Sequence, residues 1–229
     1  MHVVLSIGGS AVNPKGQPDL AFLRSIAQII KKSKNSFGIL TGGGSIARTY
    51  AKAARKLGAN EYEADSIAIT ATRQNAQLVI AALRGSGVKT YNSVVTDFEA
   101  AKEPALENKV VVMGGTIPGI TTDTDSVLLA EAIGAKRLVN ISNVEAVYDS
   151  DPKKNKKAKR FSNMSYRELN MLAAESDKRT AGTHFVFDML ACKLIARSGI
   201  ETHFVSGKKK KDMENAIEGK KHGGTVVRS

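Results

Sequence analysis

Apolar residues recur along the chain at two spacings, and their order predicts the architecture. Val3 to Ile7 is continuous except for Ser6, the pattern of a strand buried on both faces. Phe37 to Leu40, Val110 to Met113, Arg137 to Ile141 and Thr202 to Val205 read as further strands. Val88 to Tyr91 is a short strand and Thr225 to Val227 a closing one. Between them the apolar positions fall at helical spacing. Leu20, Leu23, Ile26, Ala27 and Ile30 follow Asp19, which is suited to cap them. Ala47, Tyr50, Ala54 and Leu57 form a second stripe, ended by Gly58-Ala59-Asn60. Glu61 to Leu83 reads as one long helix or two, stopped by Gly85-Ser86-Gly87. Asp97 to Leu106 is a weaker helix, because Pro104 falls inside it. A helix through Val127, Leu128, Ala130 and Ile133 is closed by Gly134. Val144 to Pro152 is a short hairpin or extended loop, followed by a helix over Tyr166 to Ala174. Thr180 to His184 is a break of small residues before a helix containing Phe187, Leu190, Leu194 and Ile195; Asp212 to Ile217 is a short helix. This alternation predicts an α/β fold, a three-layer α/β/α sandwich with a mostly parallel central sheet. With no internal repeat and no long linker, one domain is expected over residues 1–229.

In such sheets ligands bind at the carboxyl ends of the strands, and three glycine-rich stretches fall there. Gly8-Gly9-Ser10 follows the first strand, Gly42-Gly43-Gly44 follows Thr41, and Gly114-Gly115 opens a loop that runs to Thr122. Backbone without side chains approaches an anion closely, and the first N–H groups of a helix point out of its end toward it. The partial positive charge of the helix start adds to this attraction. Three consecutive glycines are costly for an ordinary turn, so Gly42 to Gly44 reads as a phosphate seat, with Arg48 near enough along its helix to reach the same anion. The familiar motifs are absent. Gly114 and Gly119 have P-loop spacing, but Ile120 stands where that motif needs lysine, and no G-x-G-x-x-G follows the first strand. H-E-x-x-H and G-x-S-x-G are missing too. Anion-binding loops flanked by Asp and Arg suit phosphoryl transfer, in which catalysis is mainly positioning and charge neutralisation around Mg²⁺.

Composition narrows the field. The chain has 229 residues, 42% of them hydrophobic, enough for a full core. No apolar run approaches the roughly 20 residues that span a bilayer, and no basic segment precedes the first apolar run as in a signal peptide. The single cysteine, Cys192, sits among Leu190, Ala191, Leu194 and Ile195 and reads as a core thiol. A soluble, cytoplasmic protein is expected. The net charge of +12 gathers in lysine runs at residues 153–160, 208–211 and 220–221. No aromatic residue sits among those lysines to stack on bases, so nucleic acid is not the expected partner; a field that draws in anionic substrates is.

Five motifs in register then carry a resemblance. They are Ile7-Gly8-Gly9-Ser10, Thr41 to Gly44 with Arg48, Gly115 to Gly119 with Thr121-Thr122-Asp123, Asn143 to Tyr148 with Asp151-Pro152, and Ala181-Gly182-Thr183 with Asp188. In order and spacing, over nearly the whole chain, they resemble the amino acid kinase superfamily, and within it the short archaeal uridylate kinases. The resemblance implies transfer of a phosphoryl group from MgATP to UMP, giving ADP and UDP on the route to CTP. It implies a UMP and phosphate-loop part over residues 1–135 and an ATP-binding part over 136–229. Gly8, Gly9, Ser10, Gly44, Arg48, Ser142, Asn143, Tyr148 and Asp151 would meet ATP. Gly43, Asp65, Thr116, Ile117, Pro118, Gly119, Ile120, Thr121 and Thr122 would meet UMP. Arg48, Asp123 and Asp188 would form the catalytic centre, with Mg²⁺ arriving on ATP and no residue assigned as a metal ligand. A homo-oligomer, a hexamer built as a trimer of dimers, is also implied. Plainer roles stand beside these: Asp65 as a solvated helix-end residue, Tyr148 as a packing residue, Asp151 before Pro152 as a turn former, and Asp123 and Asp188 as helix caps. One departure stands out. Many family members carry a lysine where this chain has Ser6, and Lys15 is a substitute only by proximity in sequence. The alternatives are a sister kinase on the same fold or a non-catalytic nucleotide- or RNA-binding protein. Isopentenyl phosphate kinases place a histidine shortly after the glycine-rich loop, and none of His2, His184, His203 and His222 lies there.

Overall fold

The computed structural model describes all residues except 151, 153, 154 and 178–186, together with the side chains of 176 and 177. Eight strands among them form one sheet in the order β3-β4-β2-β1-β5-β7-β8-β6. The strands are β1 (His2–Ile7), β2 (Ser36–Thr41), β3 (Thr90–Val95), β4 (Val110–Met113), β5 (Arg137–Ser142), β6 (Asn163–Met164), β7 (Glu201–Ser206) and β8 (Thr225–Val227). β1 to β5 and β7 run parallel, whereas β8 lies antiparallel to β7 and pairs in parallel with β6. The helices are α1 (Gly9–Val12), α2 (Leu20–Lys32), α3 (Gly44–Lys56), α4 (Glu61–Gly85), α5 (Glu99–Glu107), α6 (Thr122–Ala132), α7 (Tyr166–Asp177), α8 (Met189–Ser198) and α9 (Lys210–Ile217).

Strand alternation divides the core in two. Val3, Leu5 and Ile7 face α2, α4 and α9, meeting Ile26, Ile30, Val79, Leu83 and Ile217. Val4, Leu40 and Leu138 face the other way, toward Val127 and Leu129 of α6, Leu169 of α7 and Ile195 of α8. This is the expected sandwich. Each fully buried Leu or Ile contributes about 1.5–3 kcal/mol of transfer free energy. The same alternation places Ser6 and Asn140 on the α6 side, one step beyond Val4 and Leu138, with consequences for the site.

Several boundaries differ from the sequence reading. Glu61–Gly85 is one helix, opened by an Asn60–Glu63 capping box. The strand expected at Val88 starts at Thr90, because the Val88 N–H bonds back to Leu83 and finishes the helix. Gly9 and Ser10 belong to α1 instead of a plain turn. Phe187 precedes its helix, which is capped by Asp188. β6 was not foreseen, since two residues are too short to show a period. In the stretch from Asn143, one antiparallel bridge joins Tyr148 to Arg160. Asp151, Ala181-Gly182-Thr183 and the rest of the small-residue break lie outside the described residues.

Candidate active site

The parallel strands bring the first two glycine stretches together at their carboxyl ends. The Gly42 N–H donates to Ile7 O at 2.9 Å and the Gly8 N–H to Ile141 O at 2.9 Å, so both loops leave adjacent strands in register. A Cβ on Gly9 would lie 2.6 Å from both Gly42 O and the carbonyl carbon of Gly43. Gly44 has a left-handed backbone, φ +66°, and a Cβ there would strike Asn13 Oδ1. The two backbones therefore touch because neither carries a side chain. Asn13 and Asn75 fix the contact. Asn13 Nδ2 donates to Asn75 Oδ1 at 2.9 Å, and Asn75 Nδ2 to Gly42 O at 2.7 Å.

At this contact α3 begins. Its N-cap, Gly43, supplies no side-chain cap, as at α1, α5 and α9, whereas α2, α4, α6 and α8 are capped by Asp19, Asn60, Thr121 and Asp188. The first N–H groups of α3 are thus open to an outside acceptor, and the glycine backbone around them lets an anion approach. Arg48, one turn further, is exposed and makes no ion pair among the described residues. Ser45 Oγ, Asn13 Oδ1 and Asn140 Oδ1 are buried without a partner there. Such atoms are costly unless a ligand or water meets them.

The third loop is anchored from three directions. Asp65 Oδ2 accepts the Gly119 N–H at 3.0 Å, so Asp65 faces the loop from α4. Arg73 donates to Gly115 O and Thr116 O, each at 3.2 Å. Asp125, 1% exposed, accepts the Thr116 hydroxyl at 2.6 Å and its N–H at 3.1 Å. Thr116 is therefore spent on holding the loop: hydroxyl, N–H and carbonyl are all engaged. Ile117 is exposed and Pro118 and Ile120 half-buried, while Gly119 takes φ +89° at the tip. Thr122 opens α6.

Thr121, not Asp123, caps that helix, accepting from the Asp123 and Thr124 N–H groups at 3.2 Å each. Its hydroxyl donates to Asp188, which also accepts from Thr124 Oγ1 at 3.1 Å and caps α8 through the Ala191 N–H at 2.9 Å. Asp188 therefore does perform the capping role expected of it and also binds α6 to α8. Asp123 is freer. Its Oδ1 accepts weakly from Ser6 Oγ at 3.4 Å and Asn140 Nδ2 at 3.3 Å. Burial first and the Asp188 charge second push its carboxyl up to about 7, with the Ser6 hydroxyl opposing. Burial likewise raises Asp125, opposed by the Thr116 bonds and the Arg73 charge. Cys192 is fully buried and its thiol is raised chiefly by burial, fitting a core thiol.

Ser6, on the first strand, touches Asp123. Lys15 lies in the turn Pro14–Gly16 beside α3, exposed, with φ 55°. Among the described residues no three His, Cys, Asp or Glu side chains are grouped to hold a metal. A metal carried by phosphates still fits: Asp123 Oδ2 takes no hydrogen bond among the described residues, and a cation relieves its repulsion with Asp188. Ser142 ends β5, its hydroxyl accepting the Val144 N–H at 3.1 Å; Asn143 is exposed and Tyr148 half-buried. Asn13, Thr72, Arg73, Asn75, Asp125 and Asn140 were not singled out from the sequence. One signal was present: Thr72 and Asn75 are polar positions inside the buried stripe Ala71, Ala76, Val79 and Leu83.

A mostly parallel α/β sheet with glycine loops meeting at its carboxyl rim fits a kinase architecture, and the chain belongs to the amino acid kinase family, whose profile matches residues 1–206. More particularly, it is similar to uridylate kinases of archaea. The uridylate kinase of Thermococcus gammatolerans is 42% identical over 99% of both chains. That of Archaeoglobus fulgidus is 40% identical over 99% of this chain and 100% of its own. The crystal structure of the Archaeoglobus enzyme superposes with a TM-score of 0.87 at 38% identity, covering 99% of this chain and 100% of that one. UMP kinase from Ureaplasma parvum shares the fold, with a TM-score of 0.82 at 24% identity over 100% and 99% of the two chains.

Proposed function

We propose that the protein is a uridylate kinase, which transfers the γ-phosphoryl group of MgATP to UMP and releases ADP and UDP for pyrimidine nucleotide synthesis. The observation that carries the phosphoryl-transfer reading is the backbone contact between Gly9 and Gly42–Gly44 beneath an α3 start without a side-chain cap. The full-length relation to uridylate kinases carries the choice of acceptor.

In this reading UMP lies between α4 and the Thr116–Thr122 loop. Gly43 lies on the acceptor side, and Asp65 reaches the ribose while it steadies the loop through Gly119. Ile117, Pro118, Ile120 and Thr121 flank the base and phosphate. Residues 1–135 serve mainly UMP and the phosphates, and 136–229 mainly ATP. The donor's nucleoside end meets Ser142, Asn143, Tyr148 and Asp151, and its phosphates meet Gly8, Gly9, Ser10 and Gly44. Arg48 spans the transferring group and neutralises its equatorial oxygens. Asp123 would help hold a Mg²⁺ ion that arrives on the triphosphate, and the ion would neutralise charge that develops on the phosphates. Asp188 keeps α6 and α8 together so that Asp123 stays in place. Here the missing lysine leaves Arg48, the backbone N–H groups and the metal to carry the positive charge.

No helix among the described residues is long and apolar enough to cross a membrane. A cytoplasmic enzyme is the expectation. We expect a homo-oligomer, a hexamer of three dimers. Tyr50, Leu57 and Tyr62, respectively 63%, 89% and 69% exposed along α3 and the start of α4, are surface that a second copy would cover. A coupled ADP-release assay with UMP, CMP, dUMP, uridine and isopentenyl phosphate tests the reading. ADP release should require UMP, with CMP a much poorer acceptor. Equal rates with UMP and CMP would remove the specificity, and release with isopentenyl phosphate alone would move the protein to a sister kinase.

A further inference from the structure

A second cleft, of about 750 Å³, opens on the α9 face of the sheet beside its β8–β6 edge. Its walls include Arg160, Lys220, Lys221 and Arg228, and its floor His203 and His222. It is separate from the glycine floor. His203 precedes Ser206, the rim residue of β7, by three strand positions, roughly 10 Å.

The floor is built and its tautomers are fixed. The Gly224 N–H donates to His222 Nδ1 at 3.0 Å, so the His222 proton is on Nε2 and donates to His203 Nδ1 at 2.7 Å. His203 in turn donates from Nε2 to Glu201 Oε1 at 2.9 Å, where Arg137 Nε also donates at 2.8 Å. Both rings are neutral in this chain of bonds, and burial lowers the affinity of both for a second proton. Glu201 is neutralised by Arg137, and Asp212 accepts the Gly223 N–H at 2.8 Å. Four cations therefore face one uncompensated carboxylate. None of the four makes an ion pair among the described residues.

We propose that this cleft is a second binding site, for a small molecule bearing several phosphate groups. Its volume lies in the range of small-molecule sites, roughly 300–1,000 Å³. Arg and Lys converging from α9's end, β8 and the segment before β6 can meet several phosphate oxygens at once, where a single rim lysine would meet one. Nucleic acid is the less favoured occupant, because no Phe, Tyr or Trp lines the cleft to stack on a base, and the two imidazoles there are tied to each other, with His203 also bonded to Glu201. The proposal does not depend on the kinase assignment.

The chain has four histidines, and two of them floor this cleft, so their imidazole NMR signals report on it directly. Inorganic tripolyphosphate titrated into the full-length protein should shift the His203 and His222 signals saturably at about 1 mM or below. The exposed-residue variant Lys220→Ala/Lys221→Ala/Arg228→Ala should bind about tenfold or more weakly. Its thermal midpoint and its KM values for UMP and ATP should match the parent's. Unmoved histidine signals, or equal affinity in the variant, would overturn the proposal. Tighter binding of a short single-stranded RNA through the same three residues would also overturn it in favour of a nucleic-acid surface.

Discussion

Asp123 combines burial with the charge of Asp188, and its carboxyl is pushed up to about 7. An unfolded chain loses that proton near pH 4, so between about pH 4 and 7 the folded protein binds more protons than the unfolded one. Stability contributed at this position is therefore fully present below about pH 4 and lost progressively as pH rises to about 7, on the order of a few kcal/mol in all. Asp125 shifts in the same direction, while the lowered histidines act with the opposite sign, so only a comparison isolates Asp123. Urea midpoints at pH 5 and pH 8 should fall more for the unliganded parent than for Asp123→Asn. Equal pH dependence in the two proteins would mean that Asp123 is not held in a charge-averse pocket. The sequence showed Asp123 and Asp188 beside a glycine loop, but not their division of labour. That division rests on Thr121 and Thr124, whose hydroxyls occupy Asp188 and leave Asp123 with two weak donors.

At the scale of elements, the glycine contact is a packing requirement in Gly9 and a backbone requirement in Gly44. Gly9→Ala places a methyl against the Gly42–Gly44 backbone, and backbone cannot rotate away as a side chain can. We expect Gly9→Ala to lose about 1–3 kcal/mol of stability and most of its turnover, with KM for both substrates affected. Gly85→Ala, at a helix-end position with nothing within 4 Å, should be neutral or slightly stabilised. Thermal melts and initial rates of the two variants give the comparison. A fully active Gly9→Ala with the parent's midpoint would show that the loops do not form one floor. Individual loops were readable from the glycine runs. Their contact was not, because it arises from the β2-β1-β5 strand order, and no local pattern in β1 or β2 encodes which strand lies beside it.

For the whole molecule, the parallel sheet and its two helical layers followed from apolar period alone, since Val3 to Ile7 and Val110 to Met113 are too continuously apolar to face water. The antiparallel β8 and the two-residue β6 did not, and these short strands form the edge where the basic cleft opens. The site was half visible. Arg48 and the glycines stand in contiguous motifs, whereas Asn75, Arg73 and Asp125 reach the loops from helices distant in sequence. The proposed mechanism rests on one cation, Arg48, crossing a floor that donor and acceptor would share, beside a first strand that carries Ser6. The direct test is the turnover of Arg48→Ala with saturating MgATP and UMP, beside an unchanged thermal midpoint. The account predicts a fall of about 10³-fold or more, with Arg48→Lys only partly restoring the rate. A variant that turns over at the parent's rate would contradict it.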